Sequence, residues 1–201
     1  MSCSPLVFFM TELPKDVVKI LVKELEEKYD EQCEPSLLHG AVNYNKLRNS
    51  FNAWVPDSSW VAGFIMHYVM KANQTNFKYD IDNIDGNNIQ YTRYGPGQTY
   101  GWHQDHGLID MQRSKPRNSN EDDVVVNEGQ RKLSFSLQLS EPDEYSGGNF
   151  QLIDDNNDFM IAPRQLGSLI VFDSRMRHKV CPVKTGTRRS LVGWVMGPRF
   201  R

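Results

Sequence analysis

The rhythm of apolar and polar positions along the chain changes near residue 87. Before it, ELPKDVVKILVKELEEKY repeats apolar side chains at Val17, Ile20, Leu21, Leu25 and Tyr29 with charges between them, the spacing of a helical face. Pro14 stands where a first helical turn tolerates it. DSSWVAGFIMHYVMKAN predicts a second helix, capped by Asp57 or Ser58 and apolar enough to pack deeply. The short run PLVFFM ahead of both reads as a strand. From Asn87 onward the period is that of strands: NNIQYTRY, KLSFSLQLS, NFQLID, GSLIVFD and RRSLVGWVM, separated by GPG, SGG, DDNND and KTG. Helices first and many short strands afterwards predict a mainly β fold with supporting N-terminal α-helices. There is no internal repeat, and no linker is long enough to separate a pair of domains. A single domain over residues 1–201 is therefore expected, with 1–86 as support and 87–200 as the β core.

Composition narrows the function classes. Apolar residues at 39%, charged residues at 24% and a net charge of -2 exclude a disordered chain and a globally nucleic-acid-binding one. Cys3, Cys33 and Cys181 are odd in number and far apart, so neither a disulfide framework nor a structural zinc site is expected, and a reducing cytoplasm fits. PLVFFM is too short to span a membrane and lacks the layout of a signal peptide. The polar stretch MQRSKPRNSNEDDVVVNEGQ, residues 111–130, is long enough to be either a surface insertion or a substrate lid.

The densest chemistry lies in QYTRYGPGQTYGWHQDHG, residues 90–107. If residues 100–105 are extended, His103 and Asp105 share a face, because strand side chains alternate. One imidazole and one carboxylate leave a metal site incomplete. His178, just beyond the apolar run SLIVFD, is the candidate third ligand. Two histidines and one carboxylate on one face of a metal make the facial triad of non-haem iron(II) oxygenases, which leaves positions open for a cosubstrate and oxygen. The alternative is a surface hydrogen-bonded pair of His103 and Asp105. His106 would face away from that pair in a strand, while His39 and His67 read as a loop residue and a helix-packing residue.

Together RYGPGQTYGWHQD and HKVCPVKTGTRRSLVGW resemble the iron(II)/2-oxoglutarate-dependent dioxygenases, and within them the prolyl 4-hydroxylase-like branch. The resemblance covers residues 87–200 and rests on HxD, the distant histidine, the ten-residue step from His178 to Arg188, and Trp194. It implies a double-stranded β-helix, a jelly roll whose two sheets face each other across the site. It also implies Fe(II), 2-oxoglutarate as cosubstrate, O2, and ascorbate as reductant, with succinate and carbon dioxide released as the substrate is hydroxylated. A two-residue turn at Thr185-Gly186 would pair Arg188 with Val183, on the wrong face for His178. A chain that crosses between sheets instead aims Arg188 back over the gap of about 10 Å that a five-carbon dicarboxylate can bridge. By resemblance Arg188 holds the distal carboxylate in a planar, permanently charged fork, and Tyr94 donates its hydroxyl to the cosubstrate. Ser190 shares the face of Arg188 by alternation. In KLSFSLQLS, Ser134, Ser136 and Gln138 form the face opposite Leu133, Phe135, Leu137 and Leu139, and the polar face is expected to line the cavity. Gln138 stands where some relatives place a cosubstrate-binding tyrosine.

Tyr100, Arg131 and Trp194 match residues that prolyl hydroxylases place around the peptidyl proline, so a proline-containing peptide or protein is the expected partner. The same chemistry on another side chain, a small metabolite or a nucleobase is the enzymatic rival. Arg113, Lys115 and Arg117 are followed at once by Glu121, Asp122 and Asp123, which gives no nucleic-acid signature. A metal-binding jelly-roll module without turnover is the non-enzymatic rival, and it would not need Arg188. Asp105, where a halogenase needs a free coordination position, argues against halogenation.

Overall fold

The structure is a computed structural model that describes residues 6–11, 13–36, 47–86, 89–106, 129–154 and 156–200. In chain order the elements are β1 (Val7–Met10), α1 (Lys15–Tyr29), β2 (Glu34–Pro35), β3 (Arg48–Asn49), β4 (Phe51–Val55), α2 (Trp60–Ala72), β5 (Ile89–Tyr94) and β6 (Thr99–His103). After these come β7 (Gln130–Gln138), β8 (Tyr145–Gly147), β9 (Phe150–Ile153), β10 (Phe159–Ile161), β11 (Leu169–Asp173), β12 (Arg177–Val180), β13 (Val183–Gly186) and β14 (Arg188–Gly197). The major sheet runs β1-β11-β7-β14-β5-β4-β2, the minor sheet runs β10-β9-β12-β6-β3, and β13 pairs with β8 apart from both.

Alternation along the strands builds two apolar layers. On β7 and β11, Leu133, Phe135, Leu137, Leu169 and Val171 face the helices and pack with Val18, Leu21, Leu25, Ile65 and Val69. The intervening Ile170 and Phe172 face the other way, into a layer with Tyr94, Phe150, Leu152 and Val180 from between the sheets. Both faces of β11 are covered, which is why LIVFD is a continuous apolar run rather than an alternating one.

Three sequence expectations shift. The buried stripe of α1 is Val18, Leu21, Leu25 and Tyr29, while Ile20 is 62% exposed. A stripe begun one residue later is equally regular, and the sheet below it selects that face. The cap of α2 is Ser59, whose side chain accepts from the Val61 N–H, not Asp57 or Ser58. Finally, β4, the mixed sequence FNAWV, pairs with β5 next to the β2 edge of the major sheet, although its pattern gave no strand signal. The first 86 residues thus add β1, β4 and β2 to the major sheet and β3 to the minor one, besides their helices.

The crossing between sheets is present: β12 lies in the minor sheet and β14 in the major one, so Arg188 is opposite Tyr94 rather than Val183. Among the described residues no helix is long and apolar enough to cross a membrane.

The corrected helix face has a direct test in denaturant midpoints. Leu21→Ala should destabilise by about 2–5 kcal/mol through the cavity it leaves. Ile20→Ala should stay within about 0.5 kcal/mol of the parent.

Candidate active site

β6 ends at His103, so Asp105 lies beyond the strand rather than within it. It reaches the same face by another route. The N–H groups of Asp105 and His106 both donate to the Ser174 carbonyl, at 2.9 and 3.0 Å, in the turn that joins β11 to β12. His178, on β12, is the direct register partner of His103. Nε2 of His103 lies 3.6 Å from Asp105 Oδ1, and Nε2 of His178 lies 3.4 Å from Oδ2. One ligand atom from each of the three residues lies within 4.8 Å of the others.

The far side of each ring fixes its tautomer. His103 Nδ1 is 2.8 Å from the Gly101 carbonyl and His178 Nδ1 is 2.9 Å from the Met176 carbonyl. A carbonyl only accepts, so both Nδ1 atoms carry a proton and both Nε2 atoms face Asp105. Burial, reinforced by the neighbouring His178, lowers the His103 pKa to about 3, so its ring is neutral near pH 7. Burial pushes the Asp105 carboxyl up, but the two imidazoles and hydrogen bonds from Ser134 and Trp194 outweigh it and hold the group below its usual range. Two imidazole Nε2 atoms and a carboxylate converging on one point suit a divalent cation, and they match the two-histidine, one-carboxylate set of non-haem iron. Tyr100 stacks on His103 at 3.5 Å and 14°, and Phe172 and Phe150 stand edge-on to His178. These rings keep water from the ligands on that side.

The same cavity reaches Arg188. This side chain is 1% exposed. Nη1 donates to Ser190 Oγ at 3.1 Å and Nη2 to Gln138 Oε1 at 3.0 Å, while Nε has no acceptor. Its guanidinium carbon lies 5.6 Å from the centre of the Tyr94 ring, and Tyr145 also bonds to it. Burial lowers its pKa, and among the described residues no carboxylate forms an ion pair with it. A buried cation held only by neutral partners is costly, and a dicarboxylate fits the defect. Gly148, at φ +60°, leaves the space for this arrangement, since a Cβ there would lie 3.2 Å from both Arg188 Cδ and the Tyr145 ring. The next residue, Arg189, faces the opposite side of the sheet, where it meets Asp30 at 3.1 Å and Glu26 at 3.4 Å. Strand register thus separates the two arginines.

The remaining sequence candidates divide. Ser190 and Gln138 contact Arg188 directly, and Ser136 lines the cavity. Ser134 instead serves Asp105 and Ser174. Trp194 lines the cavity with its indole bonded to Asp105. Arg131 is stacked 4.0 Å from the Trp194 ring and its Nε and Nη2 are committed to Asp85 at 3.2 and 3.1 Å. His67 is on the exposed face of α2 against Tyr68, not packed within the core. Residues 111–128 of the loop, and His39, lie outside the described residues. Sequence reasoning missed Arg48, which lines the cavity from β3, and Gly148. Arg48 begins the alternation Arg48, Ser50, Asn52, all buried, and that polar period of two was the available signal.

One turn organises the ligands. Asp173, 1% exposed, accepts from the Arg175 backbone and guanidinium and from Tyr79 Oη at 2.6 Å. Burial works against its ionised form, but these donors lower its pKa below the usual value. Its contribution to stability is fully present above the unfolded carboxyl pKa of about 3.9 and is lost as the pH falls through the lower folded value. Asp173→Asn should therefore lower the melting temperature at pH 7, and the gap to the parent should narrow below about pH 4. A second prediction concerns Arg188. Arg188→Met should hold or raise the melting temperature of the ligand-free protein, because it removes an uncompensated buried charge. It should weaken 2-oxoglutarate binding by about a hundredfold or more in calorimetry, through the loss of charge-assisted bonds.

Comparison with known proteins gives one family. The model of the 2OG-Fe(II) oxygenase superfamily matches residues 89–196, more than half of the chain, from β5 to β14. Among curated proteins, a PKHD-type hydroxylase of Parvibaculum lavamentivorans is 31% identical over 107 residues, 53% of this chain and 41% of that protein. One of Synechococcus elongatus is 36% identical over 107 residues, 53% and 42% of the two chains. One of Crocosphaera subtropica is 32% identical over 131 residues, 63% and 51%. The chain spans about half the length of the curated relatives it matches. Among solved structures, a prolyl-4-hydroxylase of Pseudomonas putida has a TM-score of 0.70 at 20% identity, covering 96% of this chain and 93% of that one. A prolyl hydroxylase of Trichoplax adhaerens, in complex with a peptide fragment of the hypoxia inducible factor oxygen degradation domain, has a TM-score of 0.73 at 16% identity, covering 96% and 84%. The structural likenesses show that the two facing sheets are the jelly roll of prolyl hydroxylases.

Proposed function

The chain belongs to the 2OG-Fe(II) oxygenase superfamily, and from that premise we propose that it is an iron(II)- and 2-oxoglutarate-dependent dioxygenase that hydroxylates peptidyl proline. The observation that carries the reading is the pairing, in one cavity, of a converging His103, Asp105, His178 set with a buried Arg188 that has no acidic partner among the described residues. His103, Asp105 and His178 would hold iron(II), and Arg188 with Tyr94 would hold 2-oxoglutarate. When bound, iron supplies the oxidative decarboxylation of 2-oxoglutarate by oxygen to succinate and carbon dioxide, with the second oxygen atom entering a substrate C–H bond.

The chain's own groups do the positioning. The Gly101 and Met176 carbonyls keep both imidazoles turned with Nε2 inward. Ser134 and Trp194 hold Asp105 ionised and in place. Arg188 binds the distal carboxylate in exchange for its neutral contacts to Ser190 and Gln138, a gain in charge complementarity on ligand binding. Phe150 and Phe172 shield the ring of His178. Tyr100 and the Trp194–Arg131 stack wall the side left for the substrate. With Arg131 bonded to Asp85, this wall offers the proline a flat aromatic and guanidinium surface. Ascorbate is the natural reductant to include in assay, and a cytoplasmic setting agrees with unpaired Cys33 and Cys181.

Mass spectrometry of a proline-rich peptide panel incubated with iron(II), 2-oxoglutarate and ascorbate should show a gain of one oxygen on proline that depends on 2-oxoglutarate. His178→Ala should abolish it and weaken binding of a redox-silent divalent metal. Oxidation of a nucleobase or free metabolite with no proline peptide oxidised would reject the prolyl assignment and keep the oxygenase one. No oxidation of any kind, with metal affinity unchanged in His178→Ala, would reject both.

A further inference from the structure

The cavity holds a second buried guanidinium. Arg48 is 7% exposed and lines the same cavity as the triad and Arg188. It comes from β3, at the edge of the minor sheet, where it is the register partner of Tyr100. Its guanidinium lies 4.8 Å from the centre of the Tyr100 ring, whose stack with His103 carries the site onward to the ligands. Two of its nitrogens are fixed by neutral acceptors: Nε donates to Ser50 Oγ at 3.0 Å and Nη2 to Gln90 Oε1 at 3.1 Å. Nη1 has no acceptor among the described residues, yet it is not among their sealed, unpartnered atoms. Nor does Arg48 form an ion pair with any described carboxylate.

Arg48 and Arg188 serve different places. Gln90, which anchors Arg48, and Tyr94, which lies opposite Arg188, are on the same face of β5. The guanidinium of Arg188 itself bonds Ser190, the register partner of Thr92, so its anchor lies two residues, about 7 Å, along β5 from Gln90, and each guanidinium keeps its own set of neutral acceptors. The balance of charge points the same way. The two positive charges of iron(II) and the one of Arg188 are balanced by Asp105 and the two carboxylates of 2-oxoglutarate. Arg48 is left over. Arg131, the other cation on the substrate side, already has Asp85. A guanidinium so deeply buried is stabilised most by an anion that arrives with the ligand still to bind.

We propose that Arg48 is the recognition residue for a carboxylate carried by the substrate, so that the preferred target is an acidic one: a proline next to Asp or Glu, or one at a free C-terminus. This rests on the hydroxylase reading only in placing the substrate in this cavity. Ser50 and Gln90 orient the planar fork, and Tyr100 supports it from below, so the free edge presents Nη1 to the incoming group.

The test is calorimetric and needs no turnover. The full chain, loaded with zinc(II) in place of iron(II) and saturated with 2-oxoglutarate, is titrated with peptides of equal length. In these peptides proline is flanked by Glu or by Gln on either side, or ends the chain as a free acid or an amide. A further Glu peptide has its proline replaced by alanine. The carboxylate peptides should bind at least tenfold more tightly than their neutral counterparts. Arg48→Gln should erase that difference, and Arg48→Lys should restore some of it. The flanking and terminal arms tell which source of carboxylate is used. Equal affinity for Glu and Gln peptides in the parent, a preference that survives Arg48→Gln, or no carboxylate-dependent binding in any arm overturns the proposal. If the alanine peptide binds as tightly as the proline one, the carboxylate site survives and the prolyl reading fails.

Discussion

The active site depends on the turn from Asp173 to Met176. Its carbonyls do what no single strand could do. Ser174 O accepts the N–H groups of Asp105 and His106, and Met176 O accepts Nδ1–H of His178. The turn is itself tied from several directions. Ser174 N–H donates to Lys132 O, Ser174 Oγ meets Ser134, Asp173 N–H donates to Leu6 O, and the Asp173 carboxylate gathers Arg175 and Tyr79. Tyr79 is placed in turn by Asn73, whose side chain bonds both its N–H and its carbonyl just after α2. The N-terminal helices therefore act on the metal ligands through a short chain of hydrogen bonds as well as by covering the major sheet. A ligand set assembled from a strand end, a turn and a second strand is held by backbone bonds at every point, which is the rigidity a metal site needs.

Much of this was legible in the sequence, and the limits have physical causes. The strand runs from Ile89 onward were readable because both sheet faces are covered and apolar residues dominate. His103, Asp105 and His178 were readable because their chemistry is unusual among such runs. The convergence came about differently from strand alternation: β6 stops at His103, and Asp105 is brought in by Ser174. Period-two reasoning reached the right face for a reason that holds only within a strand. The separation of Arg188 from Arg189 followed from alternation and is seen directly in their different partners. The face of α1 was legible at Leu21, Leu25 and Tyr29 but not at its start, since Val17 and Val18 begin equally regular stripes and only the sheet chooses between them. β4 and Arg48 escaped because FNAWV and RN carry polar residues into buried positions, and burial of that kind is decided by partners distant in sequence, Gln90 for Arg48 and β5 for β4.

Charge gives the cavity its asymmetry. The triad end presents a carboxylate and two imidazole Nε2 atoms, whereas the Arg188 and Arg48 ends present cations surrounded by hydroxyl, amide and aromatic groups. Such a site is stabilised by what it binds. Each buried guanidinium works against the ligand-free fold and in favour of an anion at its own position. Tyr94 stands near Arg188, and Tyr100 lies between Arg48 and His103, so each guanidinium has its own aromatic neighbour in the cavity.

The central claim is that the triad and Arg188 form one site for a metal and a 2-oxo acid. The most direct measurement is an anaerobic titration of the iron(II)-loaded protein with 2-oxoglutarate, followed by the visible charge-transfer absorption that appears when a 2-oxo acid chelates iron(II). The absorption should rise to one equivalent in the parent, be absent in Asp105→Ala, and in Arg188→Lys reach the same amplitude only at higher 2-oxoglutarate. No absorption in the parent, or an unchanged titration in Arg188→Lys, would contradict the claim.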